Sequence, residues 1–285
     1  EYPITSSSVL PIFFFSHFVF HISCTNHTAV RICYKIFLLI DMLSKSAIIH
    51  YDVIDSTNLE SKRLIDKEKI FSPTWIIAGK QTAGRGRGNK KWVSQEGNLL
   101  ASLVLPIDFP LDRLPFLSCI VALSLHQCIS KVITDNKLLK IKWPNDILYD
   151  NAKLAGVLIE NVLSQSKNFS IIGIGINVAH HPIIEGKNTT SLNAIVQKSM
   201  NTMDLIKSLE IILSEYLEKL INNSEALLID EYKSKCWNYN KTVKFMTNDK
   251  VLEGILIDIS KDFEIIINAN NKNIKLNAGE LSFDY

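Results

Sequence analysis

The stretch from Phe169 to Val178 constrains the fold more than any other. It is a β-branched run carrying Gly173-Ile174-Gly175-Ile176-Asn177. Glycine inside a strand weakens it, because it supplies no side chain to pack and costs extra backbone entropy. Two of them so close together imply that something flat lies against the backbone there. The segment Leu138 to Glu160, LLKIKWPNDILYDNAKLAGVLIE, reads as two apolar runs joined by a short polar link, a strand, a turn near Asp150-Asn151 and a return strand. Pro144 cannot donate to a sheet ladder, so it is expected at a strand end, with Lys142, Asn145 and Asp146 projecting together from a rim. Lys153 begins the return strand, and Gly156 interrupts it as a bulge or a close approach by a ligand.

Upstream lies Gly79-Lys80-Gln81-Thr82-Ala83-Gly84-Arg85-Gly86-Arg87-Gly88-Asn89-Lys90-Lys91-Trp92. With little bulk at Gly84, Gly86 and Gly88, this backbone can turn sharply and bring its N–H groups to an anion. Arg85 and Arg87 add forked, permanently charged donors, so the loop suits a phosphate. Arg-Gly repeats also occur in RNA-binding tails, and the loop by itself leaves both readings open.

Composition narrows the choice. The chain has 285 residues, 47% of them hydrophobic, room for one large domain and one small one. Its net charge of +2, with cations gathered in one loop and at strand ends, does not call for a nucleic-acid partner. Cys24, Cys33, Cys119, Cys128 and Cys236 show neither metal-ligand spacing nor a disulfide framework, which points to a reducing compartment. His126 and the pair His180-His181 have no third ligand nearby in sequence, so no metal is assigned to them. Val9 to Ile22 is apolar but contains Pro11, His17 and His21, has no basic segment before it and is short for a membrane span. Residues 1–41 are therefore expected to be an extension upstream of a start at Met42, and no membrane is expected as a partner.

A coarse pass gives strands at Ser46–Val53, Trp75–Lys80 and Asn98–Leu105, and a helix over Ser56–Ile65 with Thr57 and Glu60 spaced as a capping box. A buried helix follows from about Arg113 to Lys131 with Pro115 in its first turn, and an amphipathic helix over Thr202–Ile221. Beyond Asn240 short strands broken by polar turns read as a small β-barrel, with the boundary near Trp237 to Lys241.

The Gly-Arg-Gly-Arg loop, Lys-Trp-Pro-Asn-Asp at 142–146, Lys-Leu-Ala-Gly at 153–156 and Gly-Ile-Gly-Ile-Asn at 173–177, in this order, closely resemble the biotin protein ligase family, enzymes that attach biotin to carboxylase carrier domains. The likeness takes in Ser56-Thr57-Asn58, Thr190-Ser191-Leu192 and the C-terminal segment. It implies an α+β fold in which a mixed central β-sheet with flanking helices, the class II synthetase-like biotin/lipoate ligase architecture, carries a small C-terminal SH3-like β-barrel. The domains would be 42–237 and 241–285. No helical pattern long enough for a DNA-binding module precedes them, which argues for a monofunctional ligase and not a repressor.

The resemblance also implies roles. Arg87 and Lys153 would contact the biotin carboxylate and the α-phosphate, Arg85 would order the loop over the adenylate, and Lys142 would draw charge from the phosphates of ATP, with Mg2+ accompanying the nucleotide. Asp146 would orient or deprotonate the acceptor lysine of a biotin carboxyl carrier protein. Ser56, Thr57 and Gln81 would supply the ureido partners of biotin, Gly156 and Gly173 would give its rings and tail room, and Asn58, Gly84 and Leu158 would also belong to the biotin site. Trp92, Asn145 and Asn177 would serve the adenylate side, and Ala179–Leu192 would close on it. A cytoplasmic location and a homodimer are compatible with this reading. Gly88 and Lys90 stand where many members have arginine, so looser loop closure and weaker adenylate binding are expected. A lipoate ligase, which shares the fold, and a nucleic-acid-binding protein using the basic loop are the alternatives.

Overall fold

The computed structural model describes residues 41, 43 and 45–282, except 89, 108–109, 165–166, 222–223, 247–250 and 278–279. The expectation for residues 1–41 and the start at Met42 thus lie outside the described residues, apart from Asp41. A seven-stranded sheet is built from β1 (Ala47–Ile54), β2 (Thr74–Gln81), β3 (Leu99–Ile107), β4 (Leu139–Lys142), β5 (Asp146–Tyr149), β6 (Ala152–Val162) and β7 (Asn168–Ile176), in the order β1-β2-β3-β7-β6-β5-β4. It is mixed because β1 and β2 run parallel while the other neighbours run antiparallel. A parallel pair needs a crossover, and α1 (Thr57–Asp66) supplies it.

β3 is buried at every position, the mark of a central strand covered on both faces. One face carries Leu99, Ala101, Leu103, Ile172, Ile174, Ile176 and Val157, which pack against α2 (Leu114–Ser130) and α4 (Thr202–Ile221). The helical stretch Leu111–Ser130, α2 with the turn before it, is long and apolar enough to cross a membrane, but twelve of the seventeen residues of α2 are buried in this core. The opposite face is divided. At one end Ile76, Val104 and Phe169 lie under Leu64 of α1, and at the other end the sheet is left open.

A second, antiparallel sheet holds β8 (Thr242–Met246), β9 (Val251–Ile259), β10 (Ile265–Ala269), β11 (Lys272–Leu276) and β12 (Glu280–Ser282), in the order β11-β10-β9-β8-β12. It corresponds to the small C-terminal β-unit expected from the sequence. Its core is continuous with that of the large sheet. Phe263 meets Tyr232 of α5 (Glu225–Lys235) edge-on at 5.0 Å, Phe245 lies 6.3 Å from Trp143, and Lys233 pairs with Asp258 at 2.6 Å.

Three local expectations are corrected. Residues 138–160 form three strands, because Trp143-Pro144-Asn145 is itself a turn, with a cis Trp143–Pro144 bond, between β4 and β5. The capping box does not form: Ser56 is the N-cap without a side-chain cap bond, while Glu60 accepts from Tyr51 (2.9 Å) and Arg63 (2.6 Å). The bulge in β6 falls before Gly156, where Ile147 faces Ala155 and Leu148 faces Lys153. α5 and the short α3 (Leu192–Val196) were not anticipated.

His126 is buried in α2 and its Nε2 donates to the Leu139 carbonyl at 3.3 Å. Burial, with Lys235 and Lys140 nearby, pushes its pKa down to about 4. The unfolded chain therefore takes up a proton near pH 6.5 that the folded one refuses. Below that pH folding loses free energy, reaching on the order of 3 kcal/mol at pH 4. Urea titrations are expected to show this loss in the wild type between pH 6.5 and 4 and a flatter profile in His126→Gln; equal slopes in both would count against it.

Candidate functional site

The open end of the sheet is a cleft of ≈ 940 Å³ whose floor has been stripped of side chains. Gly156 of β6 is the cross-strand partner of Gly175 of β7, flanked by Asp146 of β5 in the same row. In the next row Leu158 faces Gly173, and Gly173 faces Ser102 of β3. The flat object implied by the two glycines is the protein's own. A Cβ at Gly175 would stand 2.5 Å from the Trp92 indole, one at Gly156 would meet its edge at 3.2 Å, and one at Gly173 would collide with the Asn58 carboxamide. Gly173 and Gly175 are held to glycine by close packing and not by unusual dihedrals, while at Gly156 a methyl would press on Trp92, Asp146 and Lys153.

Trp92 closes the basic loop, which is a small hairpin. Gly86 N–H donates to Lys90 O (2.7 Å), Trp92 N–H to Gly84 O (2.9 Å), and Gly88 takes the left-handed turn at φ +59°. Of the loop's glycine N–H groups, that of Gly86 is thus taken up within the hairpin. Cationic side chains are gathered beside it. Arg85, Arg87, Lys90, Lys91, Lys142, Lys153 and Lys187 line the cleft, and Asp146 is the one carboxylate among its described lining residues. Lys153 Nζ pairs with Asp146 at 2.8 Å and lies 5.6 Å from the centre of the Trp92 ring.

At the far end stands the N-terminus of α1. Arg63 grips Asp55 with two bonds (2.9 and 2.7 Å), holding its carboxyl below the usual range, and Asp55 in turn accepts the Ser56 N–H at 2.7 Å. This clamp presents Ser56, Thr57 and Asn58, all buried, to the cleft. Gln81 Oε1 accepts from Thr57 N–H (2.8 Å) and Thr57 Oγ1 (3.1 Å), and its Nε2 donates to Ser94 (3.2 Å), so both ends of the carboxamide are oriented.

The structure thus brings Ser56, Thr57, Asn58, Gln81, Arg85, Arg87, Trp92, Lys142, Asn145, Asp146, Lys153, Gly156, Leu158, Gly173 and Asn177 around one cleft. Gly84 stands behind the wall, its carbonyl taken by Trp92 N–H. Asn145 does not project from a rim as expected. It is buried, and its Nδ2 donates to Val157 O, tying the 143–145 turn to β6. Asn177 Nδ2 donates to Thr190 O (3.0 Å) and Lys153 O (3.4 Å), leaving Oδ1 as its buried, unpartnered atom. The 179–192 segment docks beside it, Lys153 N–H donating to Asn188 O at 2.8 Å and Thr190 N–H to Lys153 O at 3.0 Å.

Gly175 is a lining residue that the sequence marks only through its spacing from Gly173 and not as a site residue. Nor does the sequence mark Trp237, whose Nε1 donates to Asn151 Oδ1 at 2.6 Å on the cleft's border, or Ser102, which has no local signal at all. Among the described residues no cluster of three or more His, Cys, Asp or Glu side chains is arranged to hold a metal ion.

The sequence model of the Biotin/lipoate A/B protein ligase family matches residues 51–177. The chain is 41% identical over 140 residues to the bifunctional ligase/repressor BirA of Bacillus subtilis (strain 168), 47% of this chain and 41% of that protein, so it spans well under half of that relative's length. With the bifunctional ligase/repressor BirA of Escherichia coli (strain K12) the identity is 30% over 246 residues, 81% of this chain and 72% of the relative. The solved biotin protein ligase from Aquifex aeolicus in complex with biotin and ATP is similar at TM-score 0.68 and 30% identity, covering 83% of this chain and 97% of that one.

Gly175→Ala tests the packing of the cleft floor. The added methyl cannot share space with the Trp92 ring, so the indole is expected to leave its seat and tryptophan emission to shift to the red without loss of the fold. Unchanged emission would show that Trp92 does not rest there.

Proposed function

Because the chain belongs to the biotin/lipoate A/B protein ligase family, we propose that it activates biotin with ATP as biotinyl-5'-AMP and transfers the biotinyl group to a lysine of a biotin carboxyl carrier protein or domain, acting in the cytoplasm. The observation that carries this reading is the convergence, over one glycine floor, of a cationic end and an oriented hydrogen-bonding end.

Adenylation must bring a carboxylate against an α-phosphate, two anions that repel. At about 4 Å and an effective dielectric near 20, each well-placed cation interacts with an anion by about 4 kcal/mol before desolvation costs, which makes this the leading effect. Arg87 and Lys153 are assigned to the carboxylate and the α-phosphate, and Lys142 to the departing phosphates. The entering phosphate competes with Asp146 for Lys153, since Lys153 and Asp146 pair at 2.8 Å. Once freed, the Asp146 carboxylate can accept a proton from the acceptor lysine in the transfer step. Magnesium would come with ATP. With Asp146 as the one lining carboxylate described, phosphate oxygens and water would hold most of it, as Mg2+ prefers.

The polar end separates the two acids that the family name covers. Biotin's ureido group can use the Ser56, Thr57 and Gln81 donors and acceptors. Lipoate's dithiolane cannot, and it would forgo those hydrogen bonds, each contributing about 0.5–1.5 kcal/mol. The nucleic-acid reading is disfavoured because the basic loop is folded as a hairpin with Arg85 bound to Glu160 at 3.0 Å.

Arg87→Ala and Lys153→Ala are each expected to abolish biotin-dependent pyrophosphate exchange while circular dichroism stays that of the wild type. Exchange near the wild-type rate in either would overturn the assignment of that cation. Exchange by the unaltered protein is expected to respond to biotin and barely to lipoate or octanoate at equal concentration; comparable rates would replace the biotin reading by the lipoate one.

A further inference from the structure

A continuous polar chain runs beneath the cleft and joins α1 to the basic loop. Ser102 Oγ, fully buried, lies 2.7 Å from Thr57 Oγ1 and 2.6 Å from Asn58 Oδ1. With its oxygen facing Ser102, the Asn58 carboxamide must turn its nitrogen the other way, and Nδ2 donates to Glu160 Oε2 at 2.8 Å and Leu158 O at 3.3 Å. Glu160 completes the chain. Arg85 Nη1 donates to its two oxygens, 3.0 Å from Oε1 and 3.1 Å from Oε2. Glu160 lies on the cleft face of β6 two residues beyond Leu158, outside the lining, so it reaches substrate only through these two partners.

A carboxylate beside a site for anions needs a reason. A half-exposed ion pair contributes little by itself, and side-chain exposures of 40% for Arg85 and 33% for Glu160 place this one in that class. Its effect lies in what it joins. One oxygen is shared by a donor from α1 and a donor from the loop, so the two walls of the cleft are registered against each other at a single atom.

Resting on the ligase reading above, we propose that Glu160 is a positioning residue, a clasp that fixes the Arg85 loop and the Asn58 carboxamide in one arrangement and so sets how firmly the loop covers the activated acid. Gln at this position keeps an acceptor for Asn58 and removes the charge that holds Arg85.

The full chain is examined as Glu160→Gln, Arg85→Ala and the double variant. In the ligand-free protein, tryptic cleavage between Arg85 and Lys91 is expected to quicken about tenfold in Glu160→Gln, because the loop opens more often. In pyrophosphate exchange the KM for biotin is expected to rise about fivefold with kcat within about twofold, and the double variant to be no worse than Arg85→Ala. The charge swap Arg85→Glu with Glu160→Arg is expected to restore protection from trypsin, which a fold damaged by the single change would not do. Wild-type cleavage and KM in Glu160→Gln, or fold-changes that multiply in the double variant, would overturn the clasp. The protease arm uses no biotin chemistry, so a wild type without biotin-dependent exchange but with the expected cleavage pattern would refute the ligase reading and leave the clasp standing.

Discussion

Everything at the site depends on the pairing of β6 with β7 that sets Gly156 opposite Gly175. In a sheet the side-chain period is two, so this register decides which residues share a face, and a slip of one residue would send Gly173 and Gly175 into the core and Ile174 into the cleft. With the register as it is, the isoleucines of β7 anchor the sheet to α2 and α4 while its glycines leave an empty floor above. Trp92 and the Asn58 carboxamide cover part of that floor. The basic loop and the start of α1 are thus located by the same absence of side chains, one over each glycine row.

Charge is arranged on this floor with equal economy. Among the described lining residues seven cationic side chains stand against one carboxylate, yet Arg85 is matched by Glu160 and Lys153 by Asp146. Two carboxylates thereby hold cations in place that would otherwise repel each other and sample many rotamers. On the proposed reading an anionic ligand would replace Asp146 at Lys153 without any new charge having to be brought in. Preorganisation of this kind is where a charged site gains most, because no reorganisation remains at the moment of reaction.

Much of this was legible in the chain. The paired glycines of β7, the apolar α2 with Pro115 at its start and the 3.6-residue pattern of α4 announce themselves because each follows from local periodicity or backbone chemistry. The 143–145 turn was not legible, since it is secured by Asn145 bonding Val157, twelve residues away on β6, beyond the intervening β5. α5 escaped because its buried residues Leu228, Ile229 and Tyr232 make too sparse a stripe among charged neighbours. Ser102 and Glu160 are ordinary residues in sequence and acquire meaning through register, Ser102 beside Gly173 and Glu160 beneath Arg85. Motifs located the cleft; the network that supports it required the fold.

The central claim is that this cleft joins biotin to a protein lysine through an adenylate. Intact-mass spectrometry of a biotin carboxyl carrier domain incubated with the protein, ATP, Mg2+ and biotin tests it most directly. The account predicts one biotinyl adduct on a single lysine, dependent on both ATP and biotin. A carrier that stays unmodified under conditions where a known ligase modifies it, or a chain that loads lipoate onto a lipoyl domain instead, would contradict it.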